Sequence, residues 1–213
     1  VFAVISVIYG ALLAIGQRDM LRLVAFTSVS HFGIMVLGIF AFQPTSVEGA
    51  AFYMFNHGLS TGALFLVVGF LIRRTGSADV ADYGGLQKVV PVLAGTFLII
   101  GLSALALPGL SPFVSEIMVL VGAFGVAKTA VVISALGVIL AALYVLLTYQ
   151  KVFTGPTREG LESTRELSVR ERLVLWPLIG LMLLLGFLPS LAIDYLREPS
   201  ADVIPVVSAE VAE

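Results

Sequence analysis

The sequence predicts an all-α fold, a polytopic bundle of transmembrane helices, on three observations. The 213 residues are 59% hydrophobic and only 12% charged, whereas soluble domains are about a quarter charged. Several apolar runs reach roughly 20 residues, the length that crosses a hydrocarbon core of about 30 Å. Most charged residues lie between these runs. Since such a chain cannot cover a globular surface with polar groups, we expect a membrane protein.

The apolar runs predict six spans in chain order. A longer charged stretch at 154–172 is predicted as a cytoplasmic linker, and residues 192–213 are predicted as a polar tail. The predicted spans are 1–16, 23–42, 50–72, 89–126, 129–148 and 173–191.

Positive charges are distributed unevenly among the predicted loops. The first, third and fifth loops carry ten of the twelve Lys and Arg residues. Because positively charged loops stay in the cytoplasm, we expect the odd-numbered loops to be cytoplasmic and both ends of the chain to lie outside.

The fourth predicted span is long and contains the helix breakers Pro108, Gly109 and Pro112. As one straight helix its 38 residues would measure roughly twice the bilayer thickness. A hairpin turning at the breakers would leave only 14 residues for the return leg. We therefore predict one crossing made of two half-helices. Discontinuous helices form ion sites in transporters, and the alternative is a kink that only bends the helix.

Glu116 is the only formally charged residue well inside a predicted span. An acidic side chain at that depth costs about 2.5–3.5 kcal/mol on insertion scales, so intramembrane carboxylates usually mark ion or proton routes. The alternative is that Glu116 lies near the outer end of its span and reaches water.

The only two histidines lie in polar stripes of neighbouring predicted spans. Facing stripes with water between successive groups would form a proton relay. The alternative is that these groups only bond helices to one another. The stripes consist of Thr27, Ser28 and His31 in the second span, and of Tyr53, His57, Ser60 and Thr61 in the third.

The composition argues against several other chemistries. Without cysteine there is no cysteine-ligated iron–sulfur cluster, so any redox chemistry belongs to a partner. A net charge of −2 does not indicate nucleic-acid binding. The histidines lack a metal-binding motif, so no metal site is expected. Gly58 to Gly62 fits the letters G-x-S-x-G, but that motif belongs to an α/β sheet, and these glycines predict close packing of a second helix.

Four segments together resemble the antiporter-like, proton-translocating membrane subunits of respiratory NADH:quinone oxidoreductase (complex I). The resemblance runs from residue 1 to about residue 153 and is weaker in the final span. The segments are DMLRLVAFTSVSHFGIM (19–35), FNHGLSTGALF (55–65), YGGLQKVVP (83–91) and LALPGLSPFVSEIMVL (105–120).

This resemblance implies a position within a larger fold. The family's fourteen core helices contain two inverted five-helix repeats, each with one broken helix. Residues 1–153 would form the second repeat, and the chain, which begins without Met, would be the C-terminal portion of a longer subunit. Glu116 falls on the key titratable position of the broken helix, and His31 and His57 fall on the central hydrophilic axis. Glutamate instead of lysine at position 116 favours the subunit M branch.

The resemblance also implies proton translocation by a subunit that holds no cofactor itself. NADH, FMN, iron–sulfur clusters and quinone would be bound by other subunits. The partners would be other membrane subunits, including neighbouring antiporter-like ones, in a bacterial cytoplasmic membrane. Two alternatives stay open, an Mrp-type cation/proton antiporter subunit and a structural subunit that conducts no protons. Leu21 and Phe26 replace the lysine and tyrosine common in the family, near the predicted cytoplasmic mouth.

Overall fold

The computed structural model describes residues 1–197, and the regular structure in this part of the chain is helical. Residues 198–213 of the predicted polar tail lie outside the described residues. Two short 3-10 turns, Val80–Asp82 and Leu86–Lys88, lie between the third and fourth helices. The helices are α1 Phe2–Ile15, α2 Met20–Phe40, α3 Pro44–Thr75, α4 Pro91–Ala104, α5 Ser111–Phe124, α6 Lys128–Phe153, α7 Val169–Phe187 and α8 Ser190–Arg197.

Local sequence signals explain several of the helix ends. Asp19 caps α2 by accepting a hydrogen bond from the Arg22 N–H. Proline lies in the first turn of α3, α4 and α5, where its missing N–H costs nothing. Ser168 and Glu171 form a capping box at the start of α7. Gly76 ends α3 in the left-handed conformation.

Helix length and composition mark fewer complete spans than the six predicted. In the described part of the chain, α2, α3 and α6 are each long and apolar enough to cross a membrane. The pair α7 and α8, bent by 71°, adds a fourth if it is taken as one span. The apolar helices α1, α4 and α5 are shorter. The predicted tail therefore begins within a helix, since α8 continues to Arg197.

The long fourth segment is interrupted between α4 and α5, over residues 105–110. Pro108 and Gly109 lie in the interruption, where Gly109 and Ala106 have positive φ values of 95° and 57°. Pro112 lies in the first turn of α5. The break thus falls where the proline and glycine residues predicted it, and α5 starts again on a proline.

The two half-helices run one after the other along α3, in the opposite direction to it. Three contacts set this order. Near the start of α3, Ser46 packs against Gly122 of α5, and in the middle of α3, Asn56 donates a hydrogen bond to Ser111 at the start of α5. At the end of α3, Arg74 donates to the backbone carbonyl of Glu166, whose carboxylate accepts from the N–H of Val92 at the start of α4. A hairpin would bring both ends of the segment to the same end of α3. The geometry therefore contradicts the hairpin alternative and agrees with consecutive half-helices.

Glycines permit the close approach of helices around the break. A Cβ on Gly186 of α7 would collide with the carbonyl of Gly109, so this glycine lets α7 cover the interruption. By contrast, a Cβ on Gly58 or Gly62 would meet no atom of the described chain within 4 Å. Among the described residues no helix packs on Gly58 or Gly62, so close packing at these glycines stays a prediction.

Candidate functional site

Four helices bring buried polar side chains together at the level of the break. His31 lies on α2, Tyr53 on α3, Glu116 on α5 and Tyr144 on α6, and all four are buried. Each sits on its helix among small or apolar residues at helical spacing, so its polar atoms point into the bundle. The site therefore exists only when these four helices pack.

These four side chains form one continuous hydrogen-bonded line, which we call the carboxyl line. The Tyr53 hydroxyl donates to Glu116 Oε2 at 3.0 Å. The same hydroxyl lies 2.7 Å from Nδ1 of His31. Nε2 of that imidazole lies 3.4 Å from the Tyr144 hydroxyl. The line thus joins a carboxylate to a phenol, an imidazole and a second phenol.

One assignment of protons satisfies every contact of the carboxyl line. Tyr53 donates to the carboxylate, so its oxygen is free to accept from His31 Nδ1–H. Nε2 of the ring then accepts from the hydroxyl of Tyr144. In this arrangement every O–H and N–H points toward Glu116, the order that transfer of protons along a chain of hydrogen bonds requires.

His57 belongs to a second group of polar side chains, which we call the α3 cluster. Its Nε2 lies 3.2 Å from the Ser28 hydroxyl, and its Nδ1 lies 3.2 Å from the Thr61 hydroxyl. Among the described residues, the Ser60 hydroxyl donates to the backbone carbonyl of His57 alone, at 3.4 Å. The structure therefore brings Ser28 and Thr61 to the imidazole but directs Ser60 to the backbone.

The two imidazoles connect the groups without a direct hydrogen bond in the described structure. The ring centroids of His31 and His57 are 5.4 Å apart, with the planes tilted by 51°. His57 also packs edge-on against Phe32, which is half exposed on the surface of α2. The α3 cluster thus lies between the carboxyl line and the outside of the described bundle.

Glu116 lies inside the bundle rather than at its surface, with 4% of its area exposed. Beside it, a cleft of about 250 Å³ separates the break and α5 from α6. The other residues that line the cleft are apolar: Leu105, Ala106, Leu107, Pro108, Phe113, Ile117, Leu120, Val138 and Ala142. The volume of the cleft equals that of several waters at about 30 Å³ each, and Glu116 supplies the polar side chain in its lining.

Asn56 fixes the start of α5, and the sequence did not single it out. Its Nδ2 donates to the Ser111 carbonyl at 3.1 Å and to the Ser115 hydroxyl at 3.2 Å. The Asn56 Oδ1 and Ser111 Oγ atoms have no partner among the described residues. Because Ser115 directly precedes Glu116, this amide holds the turn that carries the carboxyl group. The signal available was its place beside His57 in an apolar helix.

Tyr144 is the second residue that sequence reasoning missed. It lies on the buried stripe of α6, where small and polar residues recur at three- and four-residue intervals, and this spacing was the available signal. The stripe contains Ser134, Gly137, Ala141, Tyr144 and Thr148.

An interrupted helix and a buried polar line among apolar helices define a polytopic helical membrane protein with a polar interior. Residues 1–144 match the family described as "NADH:quinone oxidoreductase/Mrp antiporter, TM". The chain belongs to that family.

Curated relatives carry the same subunit name. The chain is 50% identical over 195 residues to NADH-quinone oxidoreductase subunit M of Mycobacterium tuberculosis, covering 92% of this chain and 35% of that protein. It is 37% identical over 205 residues to the subunit M of Rhodobacter capsulatus, covering 96% of this chain and 40% of the relative. The chain thus spans 35–40% of the length of these relatives.

Solved structures show the same fold. The chain aligns with a chain of respiratory complex I from Thermus thermophilus at a TM-score of 0.86 and 32% identity, covering 95% of this chain and 43% of that one. It aligns with a chain of the Mrp complex from a Dietzia species at 0.87 and 21% identity, covering 95% and 46%. The second likeness concerns the fold alone.

Proposed function

We propose that this chain translocates protons across the membrane as part of a subunit of NADH:quinone oxidoreductase. The observation that carries the proposal is the carboxyl line, a continuous chain of hydrogen-bonding side chains that ends at one buried carboxyl group. Glu116 is the proton-loading site, and Tyr53 connects it to His31. The family membership and the subunit M relatives support the same assignment.

The proposed transfer along the carboxyl line balances at each step. Tyr53 passes its hydroxyl proton to the Glu116 carboxylate and takes the proton from His31 Nδ1. A proton arriving at Nε2 of the imidazole restores its neutral form. Glu116 then gives its proton to a water that enters the adjacent cleft, and the line resets by rotation of the hydroxyl and exchange of the imidazole tautomer. One proton has then moved from the histidine side to the cleft.

The α3 cluster is the proposed link to the rest of the subunit. His57 faces the edge of the described bundle, beside the exposed Phe32. Transfer from His57 to His31 requires an intervening water or a ring rotation, because the imidazoles share no direct hydrogen bond. As the chain spans 35–40% of its relatives' length, the α3 cluster accepts protons from residues beyond this part of the subunit. The odd-numbered loops then face the cytoplasm, as the charge distribution predicts.

Partners and cofactors follow from the same proposal. Other membrane subunits of the complex flank this one, and quinone reduction elsewhere in the complex drives changes in charge and hydration along the polar line. NADH, FMN, iron–sulfur clusters and quinone are bound by those other subunits. In this chain the described residues contain no group of three or more side chains that could hold a metal ion.

The experiment that tests the proposal is Glu116→Gln in the full-length subunit, assembled in its complex and reconstituted in sealed vesicles. We expect coupled NADH oxidation and proton uptake to fall by roughly tenfold or more, because the amide cannot take up and release the proton. Glu159→Gln in the exposed linker is the matched control and should leave both rates unchanged. Full proton-to-electron stoichiometry in Glu116→Gln would overturn the assignment.

Two readouts of the same variant separate the alternatives. The family description and the fold likeness to the Mrp complex favour a cation/proton antiporter as the second candidate. That function predicts sodium-dependent transport without NADH, which proton translocation in complex I does not require. If the side chains only bond helices together, Glu116→Gln would reduce assembly while the assembled complex kept its normal pumping rate.

A further inference from the structure

The end of α3, the segment 163–168 and the start of α7 enclose a cleft of about 700 Å³, far from Glu116 along α3. We call it the arginine cleft, because four arginines line it. Its lining residues include Phe70, Arg73, Arg74, Arg165, Glu166, Arg170, Glu171 and Val174. The carboxyl line does not use this region.

The acidic side chains of the arginine cleft are already engaged. Glu171 accepts two hydrogen bonds from the Arg74 guanidinium, at 2.9 and 2.5 Å. Glu166 accepts from the N–H groups of Val92 and Leu93 at the start of α4, at 2.7 and 2.9 Å. Both carboxylates therefore serve the structure of the chain itself, and the four arginines of the cleft still outnumber them by two.

Three arginines of the cleft keep their charge available. Arg73, Arg165 and Arg170 are exposed, and among residues 1–197 their guanidinium groups make no salt bridge or side-chain hydrogen bond. Guanidinium groups bind phosphate through two parallel hydrogen bonds. The cleft therefore presents a net positive site that suits a phosphate-bearing anion.

One wall of the arginine cleft is apolar and continues along α7. Phe70 and Val174 line the cleft. Next to them on α7, Leu173 and Trp176 are 69% and 51% exposed. Arg172 lies over the Trp176 ring, 5.8 Å from its centroid, and tryptophan is enriched at membrane–water interfaces. The charged mouth and the apolar wall therefore meet at the depth expected for lipid headgroups.

We propose that the arginine cleft binds the headgroup of an anionic phospholipid. Arg73, Arg165 and Arg170 contact the phosphate, and the acyl chains lie on the exposed apolar face of α7. A free phosphate would use the arginines but would gain nothing from the apolar wall. Basic pockets between helices at the membrane surface attract anionic lipids in this way.

The test uses the full-length subunit assembled in its complex. The complex is reconstituted into phosphatidylcholine vesicles that contain a small share of photoactivatable phosphatidylglycerol, and labelled peptides are mapped by mass spectrometry. We expect label in residues 163–176. The triple variant Arg73→Gln, Arg165→Gln, Arg170→Gln should reduce that label by roughly tenfold or more, because each arginine near an anionic headgroup adds roughly fivefold to binding.

A matched triple variant removes the same charge elsewhere on the chain. Arg18→Gln, Arg22→Gln, Lys88→Gln changes three exposed positive residues in other predicted cytoplasmic loops and should leave the label in 163–176 unchanged. Unlabelled phosphatidylglycerol should compete, whereas inorganic phosphate should not. If the first triple variant fails to assemble, Arg170→Gln alone should assemble, since this exposed side chain makes no hydrogen bond or salt bridge among residues 1–197, and it should still lower the label.

Three outcomes would overturn the proposal. Equal labelling in the cleft and control variants would show that the arginines do not select the lipid. Competition by inorganic phosphate as effective as that by phosphatidylglycerol would make the site one for a small anion. Cross-linking of these positions to an acidic segment of another subunit, with no lipid label, would make the cleft a protein interface.

Discussion

Two buried or half-buried carboxylates in this molecule are held in different ways. Glu171, at the start of α7, accepts both hydrogen bonds of a guanidinium from Arg74 and caps its own helix through Ser168. Glu116, in the bundle interior, accepts one hydrogen bond in the described structure, from the Tyr53 phenol. Of these two carboxylates, Glu171 has a cationic partner in the described structure and Glu116 has none.

The difference separates a structural carboxylate from one suited to proton exchange. A carboxylate with a paired guanidinium and several donors is strongly stabilised in its charged form. A carboxylate in an apolar interior that accepts one hydrogen bond from a phenol is stabilised much less in its charged form. The free energy needed to protonate it is therefore small. The chain uses the first arrangement where α3, α4 and α7 meet, and the second beside an interrupted helix and a cleft.

The largest expected effect comes from Tyr53→Phe, which removes the single group between His31 and Glu116. We expect proton pumping by the assembled complex to fall by roughly tenfold or more, since general acid–base steps contribute at least that much. Stability should change little, because a net hydrogen bond contributes about 1 kcal/mol.

Tyr149→Phe is the matched control for this prediction. Tyr149 packs against Phe97 and Phe153, and its hydroxyl makes no hydrogen bond within the described chain. Pumping should be normal in Tyr149→Phe. If Tyr53→Phe pumped at the normal rate, the carboxyl line would not be the route, and the contrast between the two carboxylates would have no functional meaning.

A smaller effect, of another kind, is expected for Glu171→Gln. Arg74 loses its charged partner, although it keeps its hydrogen bonds to the carbonyls of Phe70 and Arg165. We expect a loss of about 1–3 kcal/mol, measured as a lower temperature at which the subunit leaves the purified complex. The number of protons pumped per electron pair should be unchanged. A normal temperature, or a changed stoichiometry, would contradict a purely structural role.

Sequence reasoning found the fold class and the break because both depend on local composition. Apolar runs, the proline and glycine residues of 105–112 and an isolated Glu116 are visible without knowing which helices touch. Helix length was less accessible: the predicted half-helices α4 and α5, and also α1, are apolar but shorter than a helix that crosses a membrane alone, so apolar runs do not give the number of complete spans.

The connections within the site could not be predicted, because they depend on rotation and register between helices. Periodicity placed Tyr53 and His57 on one stripe, yet the structure joins Tyr53 to Glu116 and His57 to Ser28. Ser60 shares the stripe, but its hydroxyl returns to its own backbone. A serine or threonine in a helix can always make such a bond, so the pattern alone cannot show which hydroxyls face a partner helix.

A smaller fall in pumping than that of Tyr53→Phe is expected for Asn56→Ala. The amide contacts the carbonyl of Ser111 and the hydroxyl of Ser115, but no member of the carboxyl line. It acts as a positioning residue, so its loss leaves every proton-carrying group in place and only loosens the first turn of α5. We expect pumping to fall by roughly fivefold, the rate equivalent of about 1 kcal/mol, with faster amide hydrogen exchange confined to residues 111–116.

Ser103→Ala is the control, because this buried hydroxyl on α4 has no partner in the described structure. It should alter neither pumping nor exchange. Faster exchange throughout the bundle in Asn56→Ala would indicate general destabilisation instead of local positioning. Normal pumping together with faster amide hydrogen exchange at 111–116 would show that Glu116 carries protons even when the first turn of α5 is not held in place by Asn56. The interior carboxylate would then depend on the phenol alone, in contrast to the several donors that hold Glu171.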